Sequence, residues 1–113
     1  MNFSIQELND ASSVVHQLVS PTLQYAWPLL ARHTGCEVWV KHENHTPIGA
    51  FKVRGGLVYI DELKRQSTTH RVLAATRGNH GQSIAFAAAR AGLAATIVVP
   101  HGNSLKVSSS ATM

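Results

Sequence analysis

The sequence predicts an α/β fold in which helices flank a parallel sheet. Residues 37–42, 72–75 and 94–99 have the alternating or continuous apolar character of strands. Residues 51–65 and 82–91, which lie between them, have helical spacing. A strand, helix, strand, helix, strand order (βαβαβ) with apolar strands is typical of a parallel sheet that is covered on both faces.

The residues before the first predicted strand favour helices. Ser4 is followed three positions later by Glu7, which is the pattern of a capping box and predicts a helix start. Pro28 is placed as the first-turn proline of a second, short helix, and Gly35 as the residue that ends it. We therefore expect a helical segment over residues 1–36.

The remainder divides into two parts. Residues 37–100 are predicted to form the βαβαβ unit. Another helix is expected after residue 99, but residues 101–113 are serine-rich and have little apolar periodicity. We interpret this last part as an irregular tail.

Composition limits the function classes. The 113 residues suffice for one small domain or part of a larger one, and 44% apolar residues provide for a core. Cys36 is the only cysteine, which excludes an internal disulfide and a cysteine-based zinc cluster. The sequence has neither an export-signal pattern nor 18 consecutive apolar residues, so we expect a cytoplasmic protein without a membrane span.

Charge is distributed unevenly along the chain. The first 62 residues hold six acids and four bases, whereas the rest hold six bases and no acid. Such asymmetry can mark a nucleic-acid surface. The six bases stand singly or as one pair, mostly without aromatic neighbours, so we expect a solvated surface or a missing acidic partner segment and no nucleic-acid partner.

Lys52 is the first residue that indicates chemistry. It follows a turn with proline and glycine and opens the helix predicted over 51–65. Its neighbours, including Phe51 and Val53, would strip water from an ammonium and favour the neutral amine, and the helix dipole acts in the same direction. A neutral lysine forms Schiff bases with aldehydes. The alternative is a lysine whose stem packs on an apolar face while its head reaches water.

The segment Thr-Arg-Gly-Asn-His-Gly-Gln at 76–82 is the second indication. It precedes a predicted helix, so its backbone N–H groups can accept an anion. Gly78 and Gly81 would let a ligand approach closely, and Asn79 offers an amide donor. The alternative is a capped turn with Asn79 as N-cap. Because parallel strands end at the same sheet edge, we expect Lys52 and Asn79 to be neighbours.

Together the two segments resemble the fold-type II pyridoxal-phosphate enzymes, and among these the threonine/serine dehydratase family. The resemblance is carried by a lysine after Pro-Ile-Gly-Ala-Phe and before Val-Arg-Gly-Gly, and by the later Gly-Asn-His-Gly turn. It covers about residues 20–105. It implies pyridoxal 5'-phosphate as cofactor, and it implies that the chain is the incomplete N-terminal part of a longer, homo-oligomeric enzyme.

The resemblance also implies a role for each matching residue. Lys52 corresponds to the lysine that holds the cofactor as a Schiff base and later removes the substrate α-proton. Asn79 corresponds to the residue that bonds the pyridoxal ring oxygen, and Phe51 is expected beside the cofactor. The loop that cradles the substrate carboxylate corresponds to Thr76, Arg77, Gly78, Asn79 and His80.

The implied activity is that of an ammonia-lyase converting a small β-hydroxy amino acid to a 2-oxo acid and ammonia. Two features depart from the family: Arg77 stands where serine or alanine is common, and no glycine-rich phosphate loop follows Gly81. We therefore expect the fragment to be inactive alone. The alternative function is a non-catalytic phosphate- or nucleotide-binding module using the turn from Gly78 to Gly81.

Two further features are interpreted without assigning a site. His42 and His45 are three apart, whereas helical zinc sites place paired histidines four apart with a third ligand elsewhere, so no metal site is predicted. Arg54 is expected either to contact the cofactor phosphate or to pair with Asp61 or Glu62 on its own helix.

Overall fold

A computed structural model describes residues 2–102 of the chain. Along this part the elements are α1 (Ile5–His16), β1 (Gln24–Ala26), α2 (Pro28–Thr34), β2 (Trp39–Lys41), a 3-10 turn (Glu43–His45), α3 (Lys52–Gln66), β3 (Arg71–Ala75), α4 (Asn79–Ala91) and β4 (Ala94–Val98). Most of the predicted irregular tail, from residue 103 onward, lies outside the described residues.

The two N-terminal helices begin and end as the sequence predicts. The Ser4 hydroxyl accepts from the Glu7 backbone N–H at 3.1 Å, and the Glu7 carboxylate accepts from the Ser4 backbone N–H at 2.7 Å, which completes the capping box. Pro28 opens α2, and Gly35 ends it with a positive φ of 73°. Local signals therefore determine both helices.

The fold class is confirmed as α/β with a parallel sheet and flanking helices. Strands β3 and β4 pair in parallel from Arg71↔Ala94 to Ala75↔Val98, and α4 connects them. Strand β2 departs from the expected arrangement, because it pairs antiparallel with β1 in a separate two-stranded sheet. The chain has the predicted order β2, α3, β3, α4, β4, but the described parallel sheet contains only β3 and β4.

The expected covering of both sheet faces is also corrected. Along β3 and β4, half-buried residues alternate with exposed ones, which is the period of a sheet packed on one side. Leu73 and Val98 are 72% and 51% exposed on the open side. Within residues 2–102, therefore, α4 covers one face of this sheet and the other face is accessible.

The core lies where α1, α3 and α4 meet. Its buried residues are Val15, Val19, Val53, Leu57, Ile60, Ala87, Ala88 and Leu93. Helices α3 and α4 approach closely because Gly56 has no side chain: a Cβ there would overlap the Ser83 hydroxyl oxygen. This packing fixes the start of α3, where Lys52 lies. Among residues 2–102, no helix has the length and apolar character needed to cross a membrane.

Candidate active site

The loop before Lys52 is held by a buried threonine. The Thr46 hydroxyl accepts from the Ala50 backbone N–H at 2.9 Å and lies 2.9 Å from the Ala50 carbonyl oxygen. Between them Gly49 adopts a φ of 67°, a region that favours glycine. The hydroxyl therefore closes the turn that leads into α3, and it limits the movement of the backbone just before Lys52.

Lys52 is the first residue of α3, as predicted, but it is not desolvated. The residue is exposed, whereas Ala50 and Val53 on either side are buried. The expectation of a water-excluded amine is wrong for the described structure. Ala50 and Val53 pack into the core, whereas Phe51 is itself 64% exposed, so these apolar neighbours leave the lysine exposed.

Lys52 differs from the other lysines of the described residues. The Lys41 amine donates to the Thr22 carbonyl at 3.0 Å, and the Lys64 amine donates to the Ala91 carbonyl at 2.5 Å. Within residues 2–102, the Lys52 amine has neither a hydrogen bond nor an ion pair. It is therefore available to a ligand.

A cavity of about 1020 Å³ lies beside this amine, between α3 and β3. Phe51, Lys52 and His80 contribute to its wall, so the cavity brings both sequence segments together. The apolar wall includes Ile84 and Leu73. Its volume is just above the range for small-molecule sites, about 300–1,000 Å³, so it can accommodate a ligand of cofactor size.

The rest of the turn between β3 and α4 does not reach the cavity wall. Thr76, Arg77, Gly78 and Asn79 are absent from its lining. The Gly78 backbone N–H donates to the Thr76 hydroxyl at 3.2 Å, which shapes the turn. Gly78 is the residue before α4, and Asn79 is the first helical residue rather than the N-cap. Arg77 and Asn79 are both exposed.

Gly81 is required for packing rather than for access to a ligand. A Cβ at this position would stand 2.5 Å from Thr76 Cγ2 and 2.7 Å from Ile97 Cγ2. Real Cβ atoms do not make such contacts, so the residue lets the first turn of α4 pack against the end of the sheet. This close packing holds His80 next to the cavity.

Arg54 makes a contact that the sequence did not indicate. Its guanidinium donates to both carboxylate oxygens of Glu43, at 2.8 and 3.0 Å, instead of pairing with Asp61 or Glu62. The Thr22 hydroxyl donates to the same carboxylate at 2.5 Å. These bonds join the β1–β2 region to the first turn of α3, two residues after Lys52. No short-range spacing indicates them, since the partners are 11 and 21 positions apart.

The hydrogen bonds from Arg54, together with the one from Thr22 and the nearby Lys41 ammonium, lower the pKa of Glu43 to about 2. Burial of the carboxyl opposes this shift but does not overcome it. Since Arg54, Glu43 and Lys41 also contribute to the cavity wall, the ion pair stabilises one side of the candidate site.

We expect this carboxylate to make folding stability depend on pH. The folded-state pKa lies below the ordinary value of 4.5, so the stabilisation is complete above that value and is lost as the pH falls towards 2. The loss should be about 2 kcal/mol, reduced from the full linkage value by partial exposure. Urea unfolding between pH 6 and pH 2.5 measures it.

The matched variant for this prediction is Glu43→Gln, which removes the titrating group. Its stability should be lower at pH 6 and should change less on acidification than that of the wild-type chain. Glu7, whose pKa is lowered by the Ser4 backbone and side chain, is retained in both proteins and contributes equally. Parallel pH profiles for the two proteins would contradict the assignment.

The histidines of the 42–45 region contact aromatic rings. The His42 ring lies 5.6 Å from that of Tyr25 and 5.9 Å from that of Trp27, and its Nε2 is buried without a hydrogen-bond partner among the described residues. Within residues 2–102, no group of three or more His, Cys, Asp or Glu side chains is arranged to hold a metal ion.

Comparison with known proteins identifies the family. The family described as "Pyridoxal-phosphate dependent enzyme" matches residues 15–111. The chain belongs to this family of pyridoxal-phosphate dependent enzymes, and the predicted fold type and cofactor are thereby confirmed. A lysine at a helix start beside a cavity, with no partner among residues 2–102, fits the aldehyde end of that cofactor.

Individual relatives are dehydratases, ammonia-lyases and racemases. The chain is 34% identical over 98 residues to L-threonine ammonia-lyase of Thermotoga maritima, covering 87% of this chain and 24% of that protein. It is 34% identical over 103 residues to L-threo-3-hydroxyaspartate ammonia-lyase of Saccharomyces cerevisiae, covering 90% of this chain and 32% of that protein. It is 35% identical over 90 residues to mitochondrial threonine dehydratase of Schizosaccharomyces pombe, covering 80% of this chain and 15% of that protein.

Solved structures agree with this family. A pyridoxal 5'-phosphate-dependent aspartate racemase superposes with a TM-score of 0.83 at 26% identity, covering 98% of this chain and 36% of that one. A maize serine racemase superposes with a TM-score of 0.83 at 25% identity, covering 96% of this chain and 33% of that one. The chain spans between 15% and 36% of the length of the proteins named here.

Proposed function

We propose that the chain supplies the lysine-bearing part of an ammonia-lyase site that acts on a small β-hydroxy amino acid such as L-threonine or L-serine. The observation that carries the proposal is the exposed Lys52 amine, which has no partner among residues 2–102 and lies in the wall of a large cavity. The dehydratases and ammonia-lyases among the relatives support this reaction class.

Pyridoxal phosphate, when bound, supplies an electron sink for bond breaking at the substrate Cα. Lys52 would hold it through its amine, with Phe51 beside the ring and the Asn79 amide donating to the ring oxygen. The residues that would hold the substrate carboxylate are Thr76, Arg77, Gly78, Asn79 and His80. Of these, His80 lies in the cavity wall with Lys52.

The chain's own contribution to the reaction is a proton acceptor in a fixed position. The Lys52 Nζ would take the α-proton from the substrate and could pass it to the departing β-hydroxyl, which would leave as water. Hydrolysis then releases the 2-oxo acid and ammonia. We propose that the 113-residue chain alone does not complete this site, since the described residues leave the Lys52 amine open to water.

The proposal is tested by comparing ligands in equilibrium dialysis. The wild-type chain is expected to retain pyridoxal phosphate in preference to nucleotides, and Lys52→Ala is expected to lose this retention. Nucleotide binding that survives Lys52→Ala would favour the phosphate- or nucleotide-binding module instead. Because the chain alone is not expected to complete the site, the loaded chain should form neither 2-oxo acid nor D-amino acid from L-threonine or L-serine. Formation of D-amino acid without 2-oxo acid would contradict the lyase proposal.

A further inference from the structure

We propose that Ser83 is a positioning residue for Lys52, an inference that rests on the proposed role of Lys52 in holding the cofactor. Ser83 lies on α4 and is 1% exposed. Its hydroxyl donates to the backbone carbonyl of Lys52 at 2.6 Å. The bond therefore connects α4 to the residue from which the cofactor lysine extends.

A steric contact next to this bond prevents the two helices from sliding. A Cβ on Gly56 would overlap the Ser83 hydroxyl oxygen and would stand 3.0 Å from the Ser83 carbonyl oxygen. Gly56 lies four residues after Lys52, on the same face of α3. The close approach sets the separation of the helices, and the hydrogen bond sets the position of α3 along α4.

The contact between Gly56 and Ser83 also sets the relative positions of the first residues of α3 and α4, which belong to the proposed site. Ser83 lies four residues after Asn79, and four helical residues advance about 6 Å along the axis. Lys52 opens α3 and Asn79 opens α4, each one turn from the contact. Ser83 thus couples the placement of the lysine to the helix that presents Asn79.

The hydroxyl is not needed to satisfy the Lys52 carbonyl. In an α-helix the Lys52 carbonyl already accepts a hydrogen bond from the backbone N–H four residues later. The buried Ser83 hydroxyl is the group that needs a partner, and the carbonyl provides it. Replacing Ser83 with alanine therefore removes the donor without leaving an unpaired buried group. The variant should keep most of its stability while the first turn of α3 becomes less restrained.

The experiment measures the reactivity of individual lysines in the 113-residue chain. Each protein is incubated with pyridoxal phosphate, reduced with borohydride at timed intervals, and mapped by peptide mass spectrometry. Ser83→Ala is expected to slow labelling of Lys52 by about tenfold, which is less than the roughly 100-fold that a 1 Å misplacement of a reacting group can cause. Labelling of Lys64, which bonds the Ala91 carbonyl, should not change.

Ser67→Ala is the matched control. The Ser67 hydroxyl donates to the Leu63 carbonyl at 2.8 Å, so this variant also removes a serine-to-carbonyl hydrogen bond of α3, but one that is exposed, lies at the far end of the helix and does not reach α4. It should label Lys52 as the wild-type chain does. If Ser83→Ala does not fold, the comparison is made with Ser83→Cys, whose thiol is a weak donor and should also slow labelling.

The outcomes separate this inference from the proposed function. Wild-type rates at Lys52 in a folded Ser83 variant would overturn the positioning role and leave the proposed function standing. An equal loss at Lys52 and Lys64 with a lowered melting temperature would also overturn it, because it indicates general loosening. A wild-type chain that labels Lys52 no faster than Lys41 or Lys64 would overturn the proposed function itself.

Discussion

Replacing Lys52 with alanine is expected to abolish covalent attachment of pyridoxal phosphate at the start of α3 and to leave the fold unchanged. The amine is the group that reacts with the cofactor aldehyde, and no other side chain at the start of α3 can replace it. Lys52 is exposed and has no hydrogen-bond partner among the described residues, and alanine is a better helix former. The free energy of unfolding should therefore change by less than about 0.5 kcal/mol.

The measurement is borohydride reduction followed by peptide mapping, with urea unfolding of the same samples. Lys64→Ala is the control, because it removes a lysine from the last turns of the same helix. That variant should retain the label on the peptide that contains Lys52. Undiminished labelling of the Lys52→Ala chain, or a label carried mainly by Lys41 in the wild-type chain, would disprove the assignment.

The elements that the sequence predicts well are those with local signals. The hydrogen bonds that start α1 join residues three apart, and α2 is set by Pro28 at its start and Gly35 at its end. Helix α3 begins at Lys52, one residue from the predicted start. In each case the physical cause lies within a few residues of the element, so the pattern contains the information.

The apolar pattern of the sequence does not predict which strands pair. Residues 37–42 alternate like a strand, but only Trp39–Lys41 form one, and their partner is Gln24–Ala26. A three-residue strand contributes few hydrogen bonds, so its partner is decided by the connection through α2 and by tertiary contacts. The antiparallel β1–β2 pair therefore appears only in the structure.

The sequence predicts the positions of the candidate site better than its contacts. The structure places Lys52 and His80 in one cavity wall, whereas Asn79, the residue expected beside Lys52, does not contribute to that wall. It does not reproduce the water-excluded lysine, because side-chain burial depends on what packs over the cavity and not on sequence neighbours. The bonds from Arg54 to Glu43 and from Ser83 to Lys52 join distant segments and have no short-range signature.

Alanine substitution of the adjacent glycines Gly55 and Gly56 in α3 should change the free energy of unfolding in opposite directions. A Cβ at Gly56 would overlap Ser83, whereas a Cβ at Gly55 would meet nothing within 4 Å. We expect Gly56→Ala to lower the free energy of unfolding by about 1–3 kcal/mol, the usual cost of overpacking. Gly55→Ala should raise it by about 0.5–1 kcal/mol, because alanine restricts the unfolded chain and favours the helix. Urea unfolding followed by circular dichroism measures both.

The Gly55→Ala variant controls for helix propensity, which changes equally at both positions, so the difference between the variants isolates the contact with α4. The double variant Gly56→Ala with Ser83→Ala tests which atoms of Ser83 collide with the added Cβ. Removing the hydroxyl relieves the overlap with the side chain but not the 3.0 Å approach to the Ser83 carbonyl, so the double variant should recover only part of the lost stability. If Gly56→Ala stabilises the chain as Gly55→Ala does, the two helices are not in close contact at Ser83, and α4 does not fix the position of Lys52.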